Sequence, residues 1–118
     1  MKGFLFSGLP VSDYPRAVDW YGRLLGGPAT FQPHDTECVW DLAERQSVYV
    51  VLRPDRAGGG LATWFFEEYA DLDRFVDAAV GHGIEPTEQE TYDNGVRKVT
   101  FHDPDGNELG VAGNPAGA

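Results

Sequence analysis

Residues 11–26, VSDYPRAVDWYGRLLG, predict an amphipathic helix. Asp13 is a good N-cap because its carboxylate can accept a hydrogen bond from a free N–H of the first turn. Pro15 falls in that first turn, where a missing N–H costs little. Apolar side chains then recur at helical spacing, at Ala17, Val18, Tyr21, Leu24 and Leu25. The glycines at 26 and 27 end the pattern, so the helix is expected to run from Asp13 to this pair.

A similar pattern recurs in the second half of the chain. The residues Asp13-x-x-Arg16-x-Val18-Asp19 return as Asp71-x-x-Arg74-x-Val76-Asp77, a shift of 58 positions. A second helix is therefore expected to begin at Asp71 and to end at the glycines at 81 and 83. Its apolar stripe consists of Leu72, Phe75, Val76, Ala79 and Val80. The recurrence indicates an internal duplication.

Strand-like runs surround the two helices in the same order. One run precedes each helix, and three follow it. The runs are Phe4–Leu9, Ala29–Gln32, Glu37–Leu42 and Val48–Leu52 in the first half, and Leu61–Phe66, Ile84–Glu90, Val96–Phe101 and Glu108–Ala112 in the second. Residues 54–60 contain Pro54 and three consecutive glycines and are the expected linker. The sequence thus predicts one α+β domain, residues 1–118, made of two βαβββ modules at about 3–53 and 61–113.

Charge and composition limit the possible partners. The 118 residues include 9 Lys and Arg against 19 Asp and Glu, a formal net charge of −10. This excess disfavours nucleic acid and anionic membranes and favours a cationic ligand. The acidic positions Glu85, Glu88, Glu90 and Asp93 are expected to form a solvated edge or to rim a cavity. A single cysteine, Cys38, excludes an internal disulfide, and the lack of a long apolar run or leader predicts a cytoplasmic protein.

A second motif, VTFHDPDGNEL at residues 99–109, predicts a hairpin. Asp and Pro open a tight turn, and Gly-Asn tolerate a positive φ between two strands. Together with the helix at residues 11–26 and the duplication, this motif resembles the vicinal oxygen chelate superfamily, which includes glyoxalases, extradiol dioxygenases and bleomycin- and fosfomycin-resistance proteins. The resemblance covers nearly the whole chain. It implies two βαβββ units whose curved mixed sheets surround a cavity, in a homodimer.

The resemblance also implies where a metal would bind. In metal-dependent members, the opening and the closing strand of each half supply one ligand each. The opening-strand positions, seven residues before each helix-starting Asp, are Phe6 and Trp64 here, and one closing-strand position is Gly110. The fourth lies within Val48–Leu52, which contains no His, Glu, Asp or Gln. None of these can bind a divalent metal, so no cofactor is expected.

Strand alternation predicts which side chains line the cavity. Trp64, Phe66 and Glu68 share one face of their strand, and Phe6 and Glu108 lie on the corresponding faces of theirs. If the other faces pack on the helices, these residues form an apolar cleft with a few polar groups. Trp40 lies in a middle strand and could face either the core or the cavity. The expected ligand-binding set is Phe6, Trp40, Trp64, Phe66, Glu68, Glu108 and Gly110.

Three functions remain open at this point. The first is a metal-independent binding protein of the bleomycin-resistance type, whose ligand is cationic and partly aromatic. The second is a metal-free lyase or isomerase in which Glu68 or Glu108, partly buried beside Trp64, is the general base. The third is a structural or regulatory protein with a vestigial cavity. A displaced metal site also stays open, with candidate ligands His34, Asp35, Glu37 and His102, although their spacing matches no known metal motif.

Overall fold

The computed structural model describes residues 1–116, in which the order β-α-β-β-β occurs twice. The first half contains β1 (Leu5–Val11), α1 (Tyr14–Leu25), β2 (Phe31–His34), β3 (Glu37–Ala43) and β4 (Gln46–Leu52). The second contains β5 (Leu61–Phe66), α2 (Tyr69–Gly81), β6 (Glu88–Thr91), β7 (Arg97–His102) and β8 (Glu108–Gly113). The predicted α+β fold class is confirmed.

Each half forms one mixed four-stranded sheet. The strand orders are β1-β4-β3-β2 and β5-β8-β7-β6, in which β1 is parallel to β4, β5 is parallel to β8, and the other pairs are antiparallel. The strand expected at Ile84–Glu90 is shorter than predicted, because Ile84 is buried in the core and Pro86 has no N–H for a sheet hydrogen bond.

The two helices begin differently, which changes how the halves correspond. The Asp13 carboxylate accepts a hydrogen bond from the Arg16 N–H at 3.2 Å, as predicted. In contrast, α2 begins at Tyr69 with Glu68 at the N-cap position, so the prediction that Asp71 starts it is wrong. Asp71 instead lies in the first turn, where the helix dipole also favours a carboxylate. The helix starts are therefore 55 positions apart, from 14 to 69, and not 58.

Both helices pack on one face of the sheets. The Tyr21 ring of α1 lies 6.0 Å from Trp40 on β3, and the Phe75 ring of α2 lies 5.9 Å from Trp64 on β5 and 6.1 Å from Phe101 on β7. These side chains belong to one buried cluster that includes residues of both halves. We call the opposite face of each sheet, which is turned away from the helices, its open face.

The turn at residues 103–107 joins the second half to the first. The Asn107 side chain is fully buried, its amide donates to the Pro10 carbonyl at 2.7 Å, and its oxygen accepts from the Gly60 N–H at 2.6 Å. The Tyr21 hydroxyl donates to the Asp103 carboxylate at 2.7 Å. Burial and the nearby Asp103 carboxylate raise the pKa of Tyr21. The motif forms the predicted hairpin turn, but its main hydrogen-bond partners lie outside that hairpin.

Candidate functional site

The open face of the first sheet presents an aromatic surface. Phe6 and Tyr49 lie on it with their ring centroids 6.4 Å apart. The Tyr49 ring lies directly over Gly8, where a Cβ would come within 2.5 Å of the ring carbon Cζ. A glycine at position 8 therefore permits the ring to lie flat against β1, leaving a surface on which a planar group can stack.

A cavity of about 630 Å³ adjoins this aromatic surface. Its lining residues are Gly8, Pro10, Tyr49, Val51, Arg53, Arg56, Gly59, Gly60 and Leu61. Arg53 makes a two-point ion pair with Asp55, at 3.2 and 3.1 Å, which raises the pKa of the guanidinium and lowers that of the carboxyl. The linker thus contributes one wall of this cavity.

The open face of the second sheet combines apolar and polar side chains in three rows. The strand register places Leu61 beside Glu108 and His102, Thr63 beside Gly110 and Thr100, and Phe65 beside Ala112 and Lys98. Glu88 and Glu90 of β6 complete the second and third rows. The face is therefore apolar along β5 and acidic along β6.

His102 connects two polar groups on this open face. Its Nε2 lies 3.1 Å from the Glu108 carboxylate, and its Nδ1 is hydrogen-bonded to the Thr87 hydroxyl. That hydroxyl donates to the Thr100 carbonyl at 3.1 Å, so it accepts from a protonated Nδ1. The contact between Nε2 and Glu108 extends this hydrogen bond, so Thr87, His102 and Glu108 form a continuous chain along which a proton can pass between the imidazole and the carboxylate.

The structure separates the predicted binding residues. Phe6, Glu108 and Gly110 lie on open faces, as predicted from strand alternation. Trp64 and Phe66 do not, because their rings pack against Phe75 at 5.9 and 6.0 Å, so the prediction that they share a face with Glu108 is wrong. The error comes from the helix start. Trp64 was located by counting back from Asp71, which lies three positions after the true N-cap, Glu68. An odd shift along a strand moves a side chain to the opposite face.

The remaining predicted residues also lie away from the open faces. Trp40 belongs to the core, being 4% exposed, and its indole N–H donates to the Gly27 carbonyl at 3.0 Å. Glu68 is exposed at the N-terminus of α2, so it is not partly buried as expected for a general base. Trp64 is half-buried and lines a second cavity, about 470 Å³, along the free edge of β5. Tyr49 and Lys98 also lie on the open faces, and nothing in the residues around them singles them out in the sequence.

The residues at the chelating positions do not fit a metal. Because the two helices start 55 positions apart, Leu61 in the second half corresponds to Phe6 in the first, and Thr63 corresponds to Gly8. Tyr49 pairs with Gly8, and Gly110 pairs with Thr63, so Tyr49 and Gly110 also correspond. The four matching positions are thus Phe6, Tyr49, Leu61 and Gly110, which include no imidazole or carboxylate. Within residues 1–116, no three His, Cys, Asp or Glu side chains are grouped to hold a metal ion. His34 lies 3.5 Å from Glu37, but as an isolated pair.

Comparison with known proteins identifies the family. A family model, the Glyoxalase/Bleomycin resistance protein/Dioxygenase superfamily, matches residues 4–111. The chain is 45% identical to a glyoxalase/bleomycin resistance protein from Catenulispora acidiphila, with a TM-score of 0.90 over 97% of this chain and 100% of that one.

Two more distant structures share the fold alone. A bleomycin-binding protein in complex with bleomycin is 18% identical, with a TM-score of 0.74 over 97% of this chain and 99% of that one. A lactoylglutathione lyase from Agrobacterium tumefaciens is 15% identical, with a TM-score of 0.74 over 96% and 94%.

No curated protein matches the sequence. Among the residues that the structure describes, neither helix is long and apolar enough to cross a membrane. The match over residues 4–111 and the 45% identity to the Catenulispora protein carry the assignment. The chain belongs to the glyoxalase/bleomycin resistance protein/dioxygenase superfamily.

Proposed function

We propose that this protein binds a small organic molecule on its open faces without a metal ion. The observation that supports this most directly is the replacement of chelating side chains by Phe6, Tyr49, Leu61 and Gly110. Apolar side chains on the open faces are also unusually exposed, with Phe6 at 43%, Phe65 at 49% and Leu61 at 74%. Exposed apolar patches of this kind commonly mark binding surfaces.

The ligand is proposed to be aromatic and to carry a cationic group. Phe6 and Tyr49 offer ring faces for stacking and for cation–π contact. The net charge of −10 attracts cations, and Glu88 and Glu90 lie on the open face of the second sheet. The structural likeness to a bleomycin-binding protein supports a small-molecule ligand of this general kind.

We also propose that two copies of the chain associate and partly cover their open faces. The support is again the exposure of Phe6, Leu61 and Phe65, since burying apolar surface stabilises association. Sedimentation velocity should give twice the chain mass of 12.9 kDa at micromolar concentration. A single species of the monomer mass would contradict this proposal.

Titration of metal-stripped protein with a bleomycin-type cationic glycopeptide tests the binding function. Saturable heat is expected by calorimetry, and Tyr49→Ala should weaken binding about tenfold because aromatic residues commonly dominate binding energies. Tyr92→Ala is the control for the loss of a tyrosine ring, since Tyr92 is exposed and lies away from this surface, in the turn between β6 and β7. An absence of heat up to high micromolar ligand, or equal losses in the two variants, would contradict this proposal.

The Thr87–His102–Glu108 chain supports a second candidate, a metal-free enzyme. Glu108 would be the general base and His102 its partner in proton transfer. Lactoylglutathione is a reasonable first substrate, given the name of the Agrobacterium relative. If the protein turns it over, Glu108→Gln should abolish turnover, whereas Glu68→Gln should not because Glu68 is exposed at the start of α2. Unchanged turnover in Glu108→Gln would contradict this candidate.

A further inference from the structure

Lys98 turns away from its acidic neighbour on the open face of the second sheet. It lies on β7 opposite Glu90 of β6, with β8 on the other side. Its side chain nevertheless extends over β8: a Cβ built at Gly110 would be 2.8 Å from the Lys98 Cε and 3.7 Å from its Nζ. The same point is 3.4 Å from the Thr63 hydroxyl of β5. The Cε methylene of Lys98 therefore occupies the space that a side chain at position 110 would fill, and the ammonium lies beside it.

Within residues 1–116 this ammonium has no acidic partner, although the chain has 19 acidic and 9 basic residues. Among the ion pairs of residues 1–116, no carboxylate oxygen lies within 4.0 Å of Lys98. Its neighbour Arg97 is also half-buried, yet it bonds to Asp73 at 2.8 Å and to Gln89 at 3.0 Å. Because desolvating a charge is unfavourable, a half-buried cation is normally paired, as Arg97 is. Among the described residues, Lys98 is thus a half-buried cation without a paired anion, which leaves its ammonium available to an anionic ligand.

We propose that Lys98 binds an anionic group of the ligand, a carboxylate, sulfonate or phosphate, with the Thr63 hydroxyl as a second donor. This inference rests on the proposed function, and it narrows the ligand to an aromatic molecule that carries an acidic group. Its cationic part would then point toward Glu88 and Glu90 on the same face. Gly110 stands at a position to which the resemblance assigns a metal ligand. The Lys98 ammonium therefore supplies a positive charge close to the place where the resemblance would put a metal ion.

Two fluorescent probes that differ by one anionic group test this inference. 8-Anilinonaphthalene-1-sulfonate carries a sulfonate, and N-phenyl-1-naphthylamine has the same rings without it. Lys98→Met should weaken binding of the sulfonate about tenfold and leave binding of the neutral probe unchanged, since the loss is that of one charge-assisted hydrogen bond. Lys2→Met is the matched control because it changes the net charge equally. Unchanged thermal melting verifies that each variant is folded.

A second variant tests the position of the ammonium while keeping its charge. Gly110→Ala places a methyl group 2.8 Å from the Lys98 Cε, so the flexible side chain must move. It should weaken sulfonate binding, and by a larger factor than it weakens binding of the neutral probe. If Lys98→Met leaves sulfonate binding unchanged, weakens both probes equally or acts no more strongly than Lys2→Met, the inference is wrong while the proposed binding function stands. If neither probe binds the wild-type protein, the inference is wrong, and the calorimetric titration with the cationic glycopeptide decides the proposed function separately.

Discussion

Replacing Asn107 by alanine should destabilise the protein far more than an average polar substitution. The side chain is 0% exposed and makes three hydrogen bonds: to the Pro10 carbonyl and the Asp103 carboxylate, each at 2.7 Å, and from the Gly60 N–H at 2.6 Å. Alanine would remove this contact from the buried Asp103 carboxylate and from the half-buried Pro10 carbonyl and Gly60 N–H. Unsatisfied buried groups cost about 1–3 kcal/mol each. Because Asp103 keeps other donors and the Pro10 carbonyl keeps a long bond from the Gly58 N–H at 3.4 Å, we expect a total loss of about 2–4 kcal/mol.

Urea denaturation followed by tryptophan fluorescence measures this loss as a difference in the free energy of unfolding. The control is Asn94→Ala, since Asn94 is exposed and accepts one hydrogen bond, from the Val96 N–H at 3.0 Å. The control should lose less than about 1 kcal/mol. The slope of the unfolding free energy against urea concentration should equal that of the wild type in both variants, because each variant exposes about the same surface on unfolding as the wild type. If Asn107→Ala loses no more stability than Asn94→Ala, the assigned role of Asn107 is refuted.

Three further predictions concern single sites. Gly8→Ala should displace the Tyr49 ring, because the new Cβ would lie 2.5 Å from it, and should change the near-ultraviolet circular dichroism of the folded protein. Arg45→Gly should raise the free energy of unfolding by about 0.5–1 kcal/mol, since Arg45 has a φ of 62° that glycine adopts more readily. Burial raises the pKa of Cys38 and Tyr21, so both stay neutral in the folded state while the unfolded chain ionises. The contribution of these two groups to stability should therefore be constant below about pH 8 and be lost as the pH rises further, and Cys38→Ala should show a weaker loss.

Local sequence signals were sufficient for most of the fold. Asp13 caps α1 and Gly26 ends it with a φ of 87°, as the residue types predict. The second helix shows the limit of such signals. An aspartate is favourable both at the N-cap and within the first turn, so Asp71 matched the pattern of Asp13 while lying inside the helix. The elements were correctly predicted, but their alignment between the halves was not.

The candidate site was harder to predict because its residues come together through strand pairing. A shift of one residue along a strand moves a side chain to the opposite face of the sheet. An error of three positions therefore placed Trp64 on the wrong face. Lys98 meets Gly110 and Thr63 only because β7, β8 and β5 are neighbours in this order. Nothing in the residues around Lys98 specifies that order. Glu108 and Phe6 could be found because their own strands carry a clear alternation.

The turn at residues 103–107 has an evolutionary consequence for a chain built by duplication. The β3–β4 turn of the first half reads LAERQ at residues 42–46 and has no counterpart of Asp103 or Asn107. The two halves thus depend on each other through this turn: the Asp103 carboxylate of the second half is the acceptor for the Tyr21 hydroxyl of the first, and the Asn107 amide donates to the Pro10 carbonyl. Separating the halves would leave the buried Tyr21 hydroxyl and Asp103 carboxylate without each other. The two copies of the βαβββ pattern are therefore not interchangeable in this chain.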